Sequence, residues 1–125
     1  MYYSNDTVAD TVVAANPLFK GMTGMAVLDK VVESLTANGL MIVLNNHVSN
    51  AGPCCSTTDN NGMWYNANFP PQMFFDAVSQ MALRYKDNLL VVATDLRNSV
   101  RPDETLNVQP SWGTGIELND WRMAA

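Results

Sequence analysis

Two apolar runs, each ending abruptly in polar residues, constrain this chain more than anything else in it. The first is Leu40-Met41-Ile42-Val43-Leu44, followed by Asn45-Asn46-His47. The second is Leu89-Leu90-Val91-Val92-Ala93-Thr94-Asp95-Leu96, followed by Arg97-Asn98-Ser99-Val100. Runs without polar interruption are the habit of strands buried on both faces, as in parallel sheets. Segments of helical period precede both. Leu28, Val31, Val32 and Leu35 fall at i, i+3, i+4 and i+7, and Asn38-Gly39 supplies a stop. Gly21 and Gly24 blur where this helix begins, which places its start between Pro17 and Met25. Pro70-Pro71 suits a helix start, because the first N–H groups of a helix lack partners anyway. Phe74, Val78, Met81, Ala82 and Tyr85 then share a face, and Asp87-Asn88 ends it.

The order helix, strand, helix, strand predicts an α/β chain: a βαβ unit with parallel strands and a right-handed crossover. Ligands of such folds sit at the carboxyl ends of the strands. His47 and Asn98 are therefore expected at one sheet edge. The stretches after the strands, residues 48–69 and 97–119, are long for a compact domain, and long loops of this kind are commonly functional. They carry Trp64, Tyr65 and Trp112, whose rings suit stacking on a ligand or pinning the loops to the body of the domain. A last helix is expected to begin at Asn119 or Asp120 as N-cap. Asp95, inside an apolar strand, needs a partner, with Arg97 or backbone N–H groups at hand.

Charge and cysteine usage remove several classes. The net charge is −5 with seven scattered basic residues, so no nucleic-acid partner is expected, since phosphate binding needs clustered Lys and Arg. No apolar run approaches the roughly 20 residues that span a bilayer, so no membrane partner is expected either. Residues 1–6 have neither a basic nor an apolar signal-peptide region. One histidine and two adjacent cysteines do not support a metal site, and no cofactor is implied. Cys54 and Cys55 could form only a vicinal disulfide within the chain. Two small, partly buried thiols are the expectation, and pairing with a cysteine outside the chain is the competitor.

The stretches Tyr3-Ser4-Asn5-Asp6, Gly39-Leu40-Met41-Ile42-Val43-Leu44-Asn45-Asn46-His47-Val48-Ser49, Cys54-Cys55-Ser56, Asn61-Gly62-Met63-Trp64-Tyr65-Asn66, Ala82-Leu83-Arg84-Tyr85, Asp95-Leu96-Arg97-Asn98 and Asp120-Trp121-Arg122 come in an order that resembles glycoside hydrolase family 5, its plant and fungal members in particular. The resemblance implies a (β/α)₈ TIM barrel and a retaining O-glycosyl hydrolase of the cellulase or β-glycanase type, with two glutamates. One glutamate follows an asparagine at the end of the fourth strand and is the acid/base; the nucleophile ends the seventh strand. By resemblance Asn98 is the asparagine that holds a sugar hydroxyl, and His47 lines the same subsite. Trp64 and Trp112 are candidate substrate contacts beside them. Ser99 stands at the acid/base position, Asn45 where many relatives have Asp, and Pro53 where relatives of this type have Trp.

A retaining glycosidase needs two carboxyl groups about 5 Å apart, and a serine hydroxyl does not protonate a leaving group as a carboxylic acid does. Glu104, in the same loop, is the carboxyl that could in principle swing back to stand in. A full barrel takes roughly 250 residues, so residues 1–125 are expected to form a single incomplete domain covering about the third and fourth strands, without the nucleophile. The ligand this implies is a β-linked oligo- or polysaccharide, and exposed sheet edges invite self-association. The alternatives are a non-catalytic carbohydrate-binding pseudoenzyme or a piece that assembles with a partner chain. A small doubly wound domain for nucleotides or other anions ranks last, because neither strand end carries the glycine such sites use. Intact relatives of this kind are typically secreted.

Overall fold

A computed structural model describes residues 6–50, 52, 54–116 and 118–125. Tyr3-Ser4-Asn5, most of the segment read for a signal peptide, and Pro53 lie outside the described residues. Elements follow in the order 3₁₀ turn Pro17–Phe19, α1 Gly24–Ala37, β1 Ile42–Leu44, α2 Pro71–Tyr85, β2 Val91–Thr94 and α3 Trp121–Ala124. This is the alternation the hydrophobic pattern predicts.

The chain divides into two compact units. One comprises residues 1–42 and 89–92, the other residues 43–88 and 93–125. In the first, Thr23 caps α1 by accepting a hydrogen bond from the Ala26 N–H at 3.2 Å, satisfying one of the orphan donors of the first turn. The far end closes as a Schellman motif: Gly39 takes φ +77°, its N–H donates to Thr36 O, and the Leu40 N–H donates to Leu35 O. Of the apolar stripe on α1, Val32 is buried and Leu28 half-buried, whereas Val31 and Leu35 stay exposed.

β1 and β2 pair in one two-stranded sheet. The Ile42 N–H donates to Leu90 O, and further along the Asp95 N–H donates to Leu44 O and the Asn98 N–H to Asn46 O. Both strands advance together along these bonds, so they are parallel. The expectation of strands buried on both faces is corrected here: Val43 is 59% exposed and Val92 52%. Among the described residues the sheet has only two strands, so the side chains that a wider sheet and its outer layers would cover meet water instead.

The core of the second unit is built mostly by the long loops. Met63, Trp64 and Tyr65 pack with Phe74 of α2 and Ala124 of α3, and Val78, Leu96, Leu106, Val108 and Trp121 close around them. Trp64 and Trp121 lie 5.0 Å apart between ring centroids, and Phe74 and Trp121 6.0 Å. Loops this long stay compact because buried polar groups replace regular hydrogen bonding. The Asp103 carboxylate accepts from the N–H groups of Gly62, Thr105 and Leu106. Asp120, the N-cap of α3, accepts from Gly113, Gly115 and Arg122. Both side chains are fully buried.

Cys54 and Cys55 are joined to each other as a vicinal disulfide across a cis peptide bond. This corrects the expectation of two thiols; their Cα atoms are 3.1 Å apart, within reach of a bond between the sulfurs.

Candidate functional site

The polar ends of β1 and β2 converge within the second unit. The Asn98 N–H donates to Asn46 O at 3.0 Å, so His47 and Asn98 flank one inter-strand hydrogen bond. Just before them, Asp95 finds its partners. Its Oδ1 accepts from the Asn46 N–H at 2.7 Å, and its Oδ2 accepts from the Asn45 side-chain amide. Of the partners expected, Arg97 or backbone N–H groups, it is a backbone N–H that serves, and the Asn45 side chain joins it.

Asn45 carries the chain of hydrogen bonds onward. With its Nδ2 donating to Asp95, its Oδ1 faces His47 Nδ1 at 3.2 Å. An amide oxygen can only accept, so Nδ1 holds the proton and the Nε2 of a neutral ring is left as an acceptor. His47 is exposed and its Nε2 has no partner among the described residues.

Beyond Asp95 the side chains alternate. Arg97 is buried, and its Nη2 donates to Asn61 O at 2.9 Å and Met63 O at 3.2 Å. Burial pushes the Arg97 guanidinium down to about 10, with the positive charge of Arg101 adding to the effect and Asp59 opposing it. It therefore remains a cation near neutrality. Asn98 is half-buried, and its side-chain amide makes no hydrogen bond to a described residue. Ser99 is exposed with φ +50°, the left-handed region where a side chain crowds its own backbone. Its carbonyl accepts from Arg101 Nη1 at 2.9 Å, while Arg101 Nη2 holds both Asp59 oxygens at 2.5 and 2.6 Å. Burial raises the Asp59 carboxyl, but the N–H groups of Ser56 and Asn61 and the Arg101 charge outweigh it and hold the group below the usual carboxylate range.

The remaining candidates separate. Trp64 is only 2% exposed, edge-on to Tyr65 at 5.4 Å and against Trp121. Its faces belong to the core, which corrects its reading as a sugar platform: the apolar loop segment 63–65 gains more by burial than by presenting a ring to water. Trp112 is 65% exposed. Glu104 is bound elsewhere in the loops. Its N–H donates to Thr57 O, and its Oε1 accepts from Thr57 Oγ1, both at 2.7 Å. Asn61, Arg101 and Asp59 were not singled out from the sequence. The Asn61-Gly62 turn dipeptide was the available signal, but only the fold shows what it touches.

Residues 4–124 match the family model "Cellulase (glycosyl hydrolase family 5)". The chain belongs to glycosyl hydrolase family 5. It is 31% identical over 110 residues to an endoglucanase of Paenibacillus polymyxa, covering 88% of this chain and 25% of that protein. The catalytic domain of the major endoglucanase of Xanthomonas campestris superposes with a TM-score of 0.72 at 27% identity, over 97% of this chain and 32% of that one. An endocellulase from Pyrococcus horikoshii, solved in complex with cellotetraose, superposes with a TM-score of 0.68 at 21% identity, over 90% of this chain and 30% of that one. The family 5 strands described here are thus part of a (β/α)₈ barrel. The chain spans about a fifth to a third of the family 5 proteins it matches.

Proposed function

We propose that this segment of a family 5 domain carries the sugar-binding side of a cellulase-type site and lacks its acid/base chemistry. The observation that carries this reading is the pair Asn98 and Ser99. Asn98 offers an amide with no hydrogen-bond partner among the described residues at the strand end, and by the resemblance Ser99 stands where the family places a carboxylic acid. General acid/base catalysis typically contributes about 10²–10⁴-fold, and a hydroxyl cannot supply it. Glu104 does not replace it while Thr57 holds its carboxylate. The ligand is a β-linked glucan: His47 Nε2 accepts from a sugar hydroxyl, Asn98 donates to or accepts from another, and the exposed Trp112 ring provides a stacking face.

Titration with cellotetraose, followed by amide chemical shifts, tests the reading. Saturable shifts at the ends of β1 and β2 are expected, weakened about tenfold or more in Asn98→Ala, as for loss of a hydrogen bond in a site. Trp112→Ala should weaken binding without moving the unfolding midpoint. No turnover of an aryl β-cellobioside is expected. Turnover abolished by Glu104→Gln would overturn the assignment of Ser99, and absence of any shift at millimolar cellotetraose would remove the sugar site.

A second reading, that the segment completes itself against a partner chain or a second copy, is supported by Met41 at 73% and Leu89 at 90% exposure beside the sheet. Sedimentation over a concentration series tests it. A monomer at every concentration argues against assembly with itself.

A further inference from the structure

Asn61 occupies an unusual place between the two strand ends. Its side chain is 3% exposed. Its Oδ1 accepts from the N–H groups of both Ser49 and Asn50, at 3.1 and 2.9 Å, two and three positions after His47 in the chain. Its backbone carbonyl accepts from Arg97 Nη2 at 2.9 Å and from Arg101 Nη1 at 3.2 Å, on either side of Asn98 and Ser99. Its own N–H donates to Asp59 Oδ1 at 3.0 Å, and its Nδ2 donates to Asp59 O at 3.3 Å. Asp59 is in turn the bidentate partner of Arg101. One residue thus ties the segment after β1 to the segment after β2.

We propose that Asn61 is a positioning residue that sets the spacing of His47 against Asn98, and with it the geometry of the sugar-binding face. This inference rests on the sugar-binding reading above. The physical argument is that Ser49 and Asn50 lie in a segment without regular secondary structure. Their N–H groups have no strand to pair with, and both donate to the amide oxygen of Asn61, which holds that part of the segment in register. Arg97 and Arg101 fix the backbone from which that amide projects. Both arginines follow β2, so the two strand ends, already joined by the Asn98 N–H on Asn46 O, are tied a second time through one buried side chain.

The test separates this inference from the reading it rests on. In Asn61→Ala, hydrogen exchange at Ser49 and Asn50 should accelerate about tenfold or more, the His47 ring proton signals should shift, and cellotetraose affinity should fall by a similar factor. Asn61→Asp keeps the acceptor for Ser49 and Asn50 while giving up the Nδ2 donor to Asp59 O, and should restore slow exchange, the His47 signals and affinity in part and together. Unchanged His47 signals in Asn61→Ala, or a loss of affinity that Asn61→Asp does not rescue, overturns the proposal. Should Asn61→Ala fail to fold, the unmodified chain decides: cellotetraose should move the Ser49 and Asn50 amide signals along with those of Asn98. Shifts confined to Asn98 overturn the coupling. If cellotetraose does not bind at all, the sugar-binding reading fails, while the exchange rates and His47 signals still judge the role of Asn61.

Discussion

At the residue scale, the hydrogen-bonded series Asp95, Asn45, His47 depends on position 45 being an amide. An amide can donate to the carboxylate on one side and accept from the imidazole on the other. A carboxylate there would face Asp95 directly, and two carboxylates in hydrogen-bond contact cannot both ionise without cost. Asn45→Asp is therefore expected to lower the urea midpoint at pH 7 by the equivalent of about 1–2 kcal/mol. The loss should shrink on acidification, when the pair can share a proton. Equal loss at pH 7 and pH 4 would mean that the amide matters for its shape and not its charge. Ser99 illustrates the same dependence on a neighbour, since Arg101 holds the carbonyl of a residue in a conformation most side chains avoid.

At the scale of elements, the two long loops behave as folded units organised by a few buried polar side chains. Gly62 marks the tightest crossing. A Cβ there would lie 2.8 Å from Arg101 O and 2.9 Å from Pro102 O, both backbone atoms that cannot turn aside. Gly62→Ala should destabilise the fold by about 1–3 kcal/mol, the usual effect of overpacking, measurable by denaturant unfolding of the tryptophan signal. Asp120 governs the other loop. Burial raises its carboxyl, yet the N–H groups of Gly115, Gly113 and Arg122 and the Arg122 charge prevail and hold it below the usual carboxylate range. A group depressed in the folded state adds stability above its unfolded pKa, and that contribution disappears as pH falls through the carboxylate range. Near-UV dichroism of Trp121 and Trp64 should accordingly fade on acidification below about pH 4. Asp120→Asn should be less stable at pH 7 and should flatten the acid limb; an unchanged limb would assign it to other carboxylates.

At the scale of the whole molecule, the exposed side chains of the sheet set the expected solution behaviour. Leu89, Met41, Val43 and Val92 are all more than half exposed, and a two-stranded sheet has an unpaired edge on each strand. Such surfaces favour association. The chain is expected to bind an environment-sensitive hydrophobic dye, and Val43→Thr with Val92→Thr should reduce that fluorescence. No dye binding by the unmodified chain would show that these faces are covered in solution. The same exposure explains what sequence reading missed. An uninterrupted apolar run predicts a strand correctly, but how many strands lie beside it is not written in the run.

The sequence by itself determined the alternation of helices and strands, the Gly39 stop, the cap at Asp120 and the placing of His47 and Asn98 at one sheet edge. Those follow from local periodicity and turn chemistry, which act over a few residues. The ordered motifs also carried the family, because each strand end keeps the residues that meet there. Tertiary structure alone decided which aromatic rings are free. Trp64 and Trp112 occupy similar loop contexts in sequence, yet one is sealed against Trp121 and Tyr65 and the other stays open. It also decided that Asp95 pairs with Asn45, that Glu104 answers to Thr57, and that Asn61 bridges the two strand ends. Those contacts join residues 12 to 50 positions apart, and no local pattern records such a distance.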